Sequence, residues 1–312
     1  MHLRASLIRF VAASLLWGSL STLPGCYLLG SEPVPDVSNY DLDLEELRRL
    51  ARSLPAPLPA GVRVEQVATT KLPGALMMAG RSWDNLEMTH VVFQILQADG
   101  RFILIDSAQD REMHESNPGE NPFDDVAWER VMRAFGAADQ IVITHEHPDH
   151  LGGVAHYPNP ADLVLSLQLT KEQLENRSAL ESVDFEAALD GDFAPVDYPE
   201  GRSAMVIAPG VVLKKAPGHT PGSQMVYVLL EDGAELLFVG DVVWNLDAIT
   251  DLVYRPRFMT DWVIGEDREL GIHQLRALRN LYDAGEVSIV VSHDERTHSA
   301  PGLTLGFEIP AH

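Results

Sequence analysis

The densest chemistry in the chain lies in one run, Ile141-Val142-Ile143-Thr144-His145-Glu146-His147-Pro148-Asp149-His150-Leu151-Gly152-Gly153. Its β-branched start predicts a strand, which feeds directly into three imidazoles and a carboxylate. Residues two apart on extended backbone point the same way, so His145 and His147 can grip one cation together. Pro148 then turns the chain and lets Asp149 and His150 face a second cation nearby. A lone histidine is usually an ordinary polar residue, but four potential ligands within six residues after a strand form a metal-binding pattern. Gly152 and Gly153 would allow close packing behind it.

Three further segments follow the same grammar of rigid strand, then ligand on the loop. Pro217-Gly218-His219-Thr220-Pro221-Gly222-Ser223 places a histidine in a tight loop between apolar runs. Leu236-Leu237-Phe238-Val239-Gly240-Asp241 ends an apolar run with an acid, and Ile289-Val290-Val291-Ser292-His293-Asp294 ends another with a histidine. The only cysteine, Cys26, is far upstream, so no disulfide and no thiolate ligand are available to this constellation.

The elements that must position these residues are mostly strands. Val62–Thr69, Met88–Gln97, Phe102–Ile105, Gln140–Thr144, Leu163–Leu167, Met205–Ala208, Val211–Ala216, Met225–Leu230, Leu236–Val239 and Val287–Val291 read as β, several bounded by turn signals such as Ala98-Asp99-Gly100. Helical patterns fall at about 123–135, 169–190 and 267–284. Strand groups separated by helices predict an α+β domain of two sheets face to face with helices outside.

Over roughly residues 62–300 the chain resembles the metallo-β-lactamase superfamily. Its His-x-His-x-Asp-His motif matches His145 through His150, and its later ligands match His219, Asp241 and His293. The resemblance implies the αββα four-layer sandwich. It implies His145, His147 and His219 on one metal, Asp149, His150 and His293 on a second, and Asp241 bridging both. Asp106 stands where the family often has an acid supporting the metal loop; a simple turn aspartate is the other reading. Two divalent ions are expected, zinc first, with iron or manganese compatible with all-N/O ligation. A water caught between two such ions loses a proton near neutral pH and becomes the nucleophile. Asp149 could orient it and shuttle its proton, which makes Asp149 the candidate catalytic residue.

Within the superfamily, Asp241 and the absence of a later cysteine count against β-lactamases. The short stretch after His293 counts against glyoxalase II, and His147 counts against the flavin-dependent diiron members. The acyl-homoserine lactonase-like branch is nearest, on His-Thr-Pro-Gly at 219–222, the long segment 242–286 and the His-Asp pair at 293–294. Those lactonases carry a tyrosine where this chain has Trp244, so the tyrosine's role is lost or moved, and Tyr254 is the candidate replacement. Trp244 could line an acyl pocket. Arg255 or Arg257 could meet a substrate carboxylate, although surface ion pairs are the plainer role; the stretch 244–268 reads as a lid or binding loop. His298 could support the site, His273 reads as a helix residue, and His90, His114, His156 and His312 carry no signal. The expected activity is lactone or carboxylic-ester hydrolysis on a small molecule. The alternatives are a phosphodiesterase, sulfatase, thioesterase or β-lactamase of the same fold, or a non-catalytic metal-binding surface lipoprotein.

Composition narrows the partners. A formal net charge of −23 over 312 residues repels phosphate backbones, so nucleic acid is not expected. Arg4 and Arg9 precede the apolar run Phe10–Trp17, which reads as a signal peptide. It leads to Leu23-Pro24-Gly25-Cys26, which resembles a bacterial lipobox. The expected organisation is residues 1–25 signal peptide, 26–61 tether and short helix, and 62–312 hydrolase domain. The expected place is the cell envelope, exported and lipid-anchored through Cys26, at the outer membrane or the periplasmic face.

Overall fold

The computed structural model describes residues 27–116, 121–175 and 195–308. Cys26 and the apolar leader lie outside the described residues, as does most of the helix expected over 169–190. The elements run α1 (Leu44–Ala51), β1 (Gly61–Pro73), α2 (Gly74–Met77), β2 (Asn85–Leu96), β3 (Phe102–Ile105), α3 (Arg111–Glu115), α4 (Asp125–Phe135), β4 (Gln140–Val142) and α5 (Pro148–Ala155). There follow β5 (Leu167–Gln168), α6 (Lys171–Glu175), β6 (Ala204–Ala208), β7 (Val211–Lys215), β8 (Gln224–Leu229) and β9 (Glu235–Phe238). The chain continues through α7 (Leu246–Asp251), a π-helix (Phe258–Ile264), α8 (Arg268–Ala284), β10 (Ser288–Val290) and β11 (Leu303–Leu305).

Two sheets result, ordered β11-β1-β2-β3-β4-β5 and β10-β9-β8-β7-β6. Both are covered on both faces, so their strands are apolar nearly throughout rather than alternating with polar residues. In β8, Val226 and Val228 face the other sheet, while Met225, Tyr227 and Leu229 face α1 and α8. In β3, Ile103 and Ile105 join the inter-sheet core, while Phe102 and Leu104 pack under α4 and α5. This is the expected αββα sandwich.

The short helix expected over 41–53 forms as α1, while the end of the tether expected over 27–40 is strapped to the body instead. Leu44, Leu47 and Ala51 are buried in the layer outside the second sheet. Ser38 donates to the carbonyl of His273 at 2.7 Å, and the Tyr40 hydroxyl to that of Lys215 at 2.6 Å. The apolar Leu42/Leu44/Leu47/Leu50 spacing carries that burial, so only the segment's Pro content suggested a free linker. Two strand expectations also shift. Leu163–Leu167 is a 3-10 turn followed by a two-residue strand, with Leu165 90% exposed. β11, too short to show a pattern, was missed.

The topology gathers the ligands. β9 and β10 are parallel with Phe238 opposite Val290, so the third residue beyond each, Asp241 and His293, emerges at the same sheet edge. β3 and β4 are parallel with Ile105 opposite Val142, which brings Asp106 and His145 to the matching edge of the other sheet. Pro148 opens α5, putting Asp149 and His150 on its first turn. A β-carbon on Gly153 would lie 2.0 Å from the Ser107 carbonyl oxygen. Glycine there lets α5 press against the Asp106–Ala108 turn, where Ser107 donates through both its amide and its hydroxyl to the His150 carbonyl. Gly153→Ala should therefore destabilise the fold by about 1–3 kcal/mol, the usual cost of overpacking, measured by urea unfolding. An unchanged midpoint would refute this close approach.

Candidate metal centre

Seven side chains converge at the loop edge of the sandwich. His145, His147, His219 and Asp241 form one group of potential ligand atoms, and His150, Asp241 and His293 another. Asp241 Oδ1 lies 3.2 Å from His150 Nε2 and 3.1 Å from His293 Nε2. Its Oδ2 lies 3.4 Å from His219 Nε2 and 3.7 Å from His145 Nε2. Asp149 Oδ2 approaches His293 and His150 at 3.5 and 3.7 Å. The seven residues that the sequence singles out are thus brought together, with one carboxylate between two imidazole groups.

The outward nitrogens decide what the inward ones can do. His150 Nδ1 meets Asp106 Oδ2 at 2.8 Å, His219 Nδ1 meets Glu266 Oε1 at 2.6 Å, and His293 Nδ1 meets the Thr89 carbonyl at 2.7 Å. These acceptors require a proton on Nδ1, which turns the Nε2 lone pairs inward, the usual arrangement of metal-ligating histidines. Lone pairs then crowd the centre, with His147 Nδ1 2.9 Å from His219 Nε2 and 3.1 Å from His145 Nε2. Asp241 Oδ1 is buried and has no hydrogen-bond partner. Without cations, burial drives the His145 and His219 pKa values well below the ordinary imidazole value, with neighbouring imidazoles adding to the effect. Burial also opposes charge on His150, but Asp241, Asp106 and Asp149 prevail and hold its pKa well above the ordinary value. Buried imidazoles turned inward around a buried carboxylate form a donor set that fits divalent cations.

The loops are locked to each other. Asp106, at φ 64°, accepts from the Thr144 amide at 2.6 Å and its hydroxyl at 2.9 Å, so it supports the metal loop rather than merely turning the chain. Glu146, between the first two histidines, accepts from the Thr220 hydroxyl at 2.8 Å and so ties the His145 loop to the His219 loop. A β-carbon on Gly222 would lie 2.6 Å from Glu146 Oε2. Asp294 accepts from the Leu246 amide at 2.8 Å and from Arg296, anchoring α7 beside His293.

Several sequence readings change here. The Trp244 indole N–H donates to Asp241 Oδ2 at 2.7 Å, so it holds that carboxylate in place. Tyr254 is not a substitute for the lactonase tyrosine: it is buried against Gly271, and its hydroxyl accepts from Arg255 at 2.9 Å. Arg255 is neither at the surface nor free for substrate. It is buried between the Trp244 and Tyr254 rings and paired with Glu266 at 2.7 Å. The stretch 244–268 is therefore a packed support built of α7 and the π-helix, not a loose lid. His298 touches no ligand; its Nε2 meets the Val291 carbonyl at 3.0 Å, and burial pushes its pKa down to about 4. His90, which gave no signal in the sequence, is buried with Nδ1 3.4 Å from Asp149 Oδ2 and Nε2 3.0 Å from the Thr70 hydroxyl. Only the sheet pairing of β1 and β2 could have placed it.

The family profile of the metallo-beta-lactamase superfamily matches residues 138–285, a span that takes in six of the seven ligands. Over that span, a little under half of the chain, it is similar to the metallo-β-lactamase superfamily. The chain is 23% identical over 158 residues to N-acyl homoserine lactonases of Bacillus thuringiensis, covering 49% of this chain and 55% of theirs. The matched region thus spans little more than half the length of those relatives. A solved quorum-quenching N-acyl homoserine lactone lactonase superposes with TM-score 0.59 at 17% identity, covering 78% of this chain and 96% of its own. A dizinc quorum-quenching lactonase in complex with the product N-hexanoyl-L-homoserine superposes with TM-score 0.52 at 16% identity, covering 77% of this chain and 87% of its own. Both share the superfamily's sandwich.

Asp241→Ala and His145→Ala should each cut bound transition metal from close to two ions per chain to about one or fewer, read by elemental analysis. Trp244→Phe, which removes only the N–H on Asp241, should lower metal retention on dialysis against chelator by a smaller factor, about 10- to 100-fold in affinity. Wild-type retention in Trp244→Phe would show that this hydrogen bond does not hold that carboxylate in place.

Proposed function

We propose that the protein is a two-metal hydrolase acting on a lactone or carboxylic ester of a small acyl compound. The observation that carries this reading is the placement of Asp241, one oxygen toward each imidazole group. Two bound divalent ions, zinc or another metal suited to the same donors, would supply an activated water and polarise the substrate carbonyl. The chain's own contribution is positioning and proton handling. Asp149 is 26% exposed, the most open of the acids here, and faces His90, His150 and His293. Burial would raise its pKa, but His150, His90 and His293 hold it well below the ordinary carboxylate range, so it stands ionised and able to take a proton at Oδ2. Trp244, Met77, Met88 and Met259 form an apolar cluster beside Asp241, a wall suited to an acyl chain. The likeness to acyl-homoserine lactonases supports the choice of lactone or ester over phosphodiester.

The test compares kcat/KM across acyl-homoserine lactones, aryl esters, a cephalosporin, a glutathione thioester and a bis-aryl phosphodiester. Lactones or esters should lead by tenfold or more, about 1.4 kcal/mol of transition-state stabilisation. A phosphodiester or β-lactam leading by that margin would overturn the assignment.

We also propose that the chain is exported and lipid-anchored through Cys26, supported by the basic-apolar leader and the Leu23-Pro24-Gly25-Cys26 run. Expressed in a Gram-negative host, the full chain should incorporate labelled fatty acid, and Cys26→Ser should not. An unlabelled wild type would refute the anchor.

A further inference from the structure

Six of the thirteen exposed large apolar side chains among the described residues lie on adjoining segments. Phe258, Trp262 and Val263 project from the π-helix, with Trp262 74% exposed. Trp83, 61% exposed, sits on the turn that bonds back to α2 through Gly74 and Ala75, and α2 packs against the π-helix. Tyr27 and Leu29, at the start of the described residues, are exposed beside them. The Arg257 guanidinium lies over the Tyr27 ring at 4.5 Å, and its amide donates to the Gly30 carbonyl at 3.0 Å. Acids of this face are engaged: Glu32 pairs with Arg257 and Arg268, Asp261 accepts from the Thr260 hydroxyl, and Asp84 from that of Ser82. Such a patch is larger than scattered surface hydrophobes require.

What covers it is indicated by the chain itself. Cys26, the proposed lipid attachment point, is one peptide bond from Tyr27, and Tyr27 is pinned to the residue that opens the π-helix. An acyl anchor there would hold this face, and not the far side of the sandwich, against the bilayer. Tryptophan and tyrosine are the side chains best suited to the headgroup boundary. The high net negative charge makes a zwitterionic surface the fitting one.

We infer that the face made by the π-helix, the Trp83 turn and the Tyr27–Leu29 segment docks on a zwitterionic phospholipid bilayer. The metal centre is then close to the membrane. Met259 of the same π-helix packs in the cluster with Trp244, whose N–H is on Asp241. Resting on the hydrolase reading above, this points to acyl compounds partitioned in the bilayer as substrates.

The experiment uses the full chain, purified and added to phosphatidylcholine vesicles with or without brominated acyl chains, which quench nearby tryptophan. Wild type should be quenched, and Trp83→Phe/Trp262→Phe should lose at least half of that quenching while keeping its circular dichroism. No quenching of wild type, or equal quenching in the double variant, overturns the proposal whether or not the chain carries fatty acid. Fatty-acid labelling scores the anchor separately, and turnover of a short-chain lactone without vesicles scores the hydrolase reading.

Discussion

Asp241 carries a carboxylate into a place with almost no water, and much of the structure is arranged to make that tolerable. Removing an ion from water costs several kcal/mol even after relaxation, so the charge must meet compensating charge close by. Here four imidazole nitrogens and one indole N–H surround it. Burial would raise the Asp241 pKa, yet His293, His150 and His145 hold it well below the ordinary carboxylate value.

The compensation reaches outward in layers. Asp106 and Glu266 orient His150 and His219, and Glu266 is in turn paired with Arg255. Arg255 sits between two aromatic rings, a low-dielectric setting in which cation–π attraction is strongest. Breaking a buried pair of this kind by removing one partner typically costs 3–5 kcal/mol, because the other charge is left uncompensated. The segment from Trp244 to Glu266 is therefore best understood as a brace for the ligands. Its π-helix, an element frequent at functional sites, places Met259 against Trp244 on one side and Trp262 at the surface on the other.

Much of this was legible in the sequence because strand ends and metal donors are local signals. Histidines and acids placed just past apolar runs named the seven ligands, and the apolar runs named both sheets. What stayed hidden depends on pairing between distant strands. His90 reaches Asp149 only because β2 lies between β1 and β3, and Arg255 looks like a surface residue until the Trp244 and Tyr254 rings close over it. Glu146 carries no signal of its own in the sequence, yet its carboxylate ties the His145 loop to the His219 loop. The N-terminal strap was misread because proline content suggests a linker, while the burial that fixes it is set by the partner surface on α8 and the second sheet.

The pairing of β1 with β11 has a consequence for how the molecule comes into being. Val62 lies beside Leu303 in a parallel ladder, so one side of β1 is satisfied only by residues 241 positions later in the chain. At translation speeds of about 5–20 residues per second, β1 waits some tens of seconds with that edge open. Contacts of such sequence separation slow folding, since loop closure precedes any gain from the pairing. The first sheet thus closes late, and until it does β1 keeps an open edge that another strand could occupy.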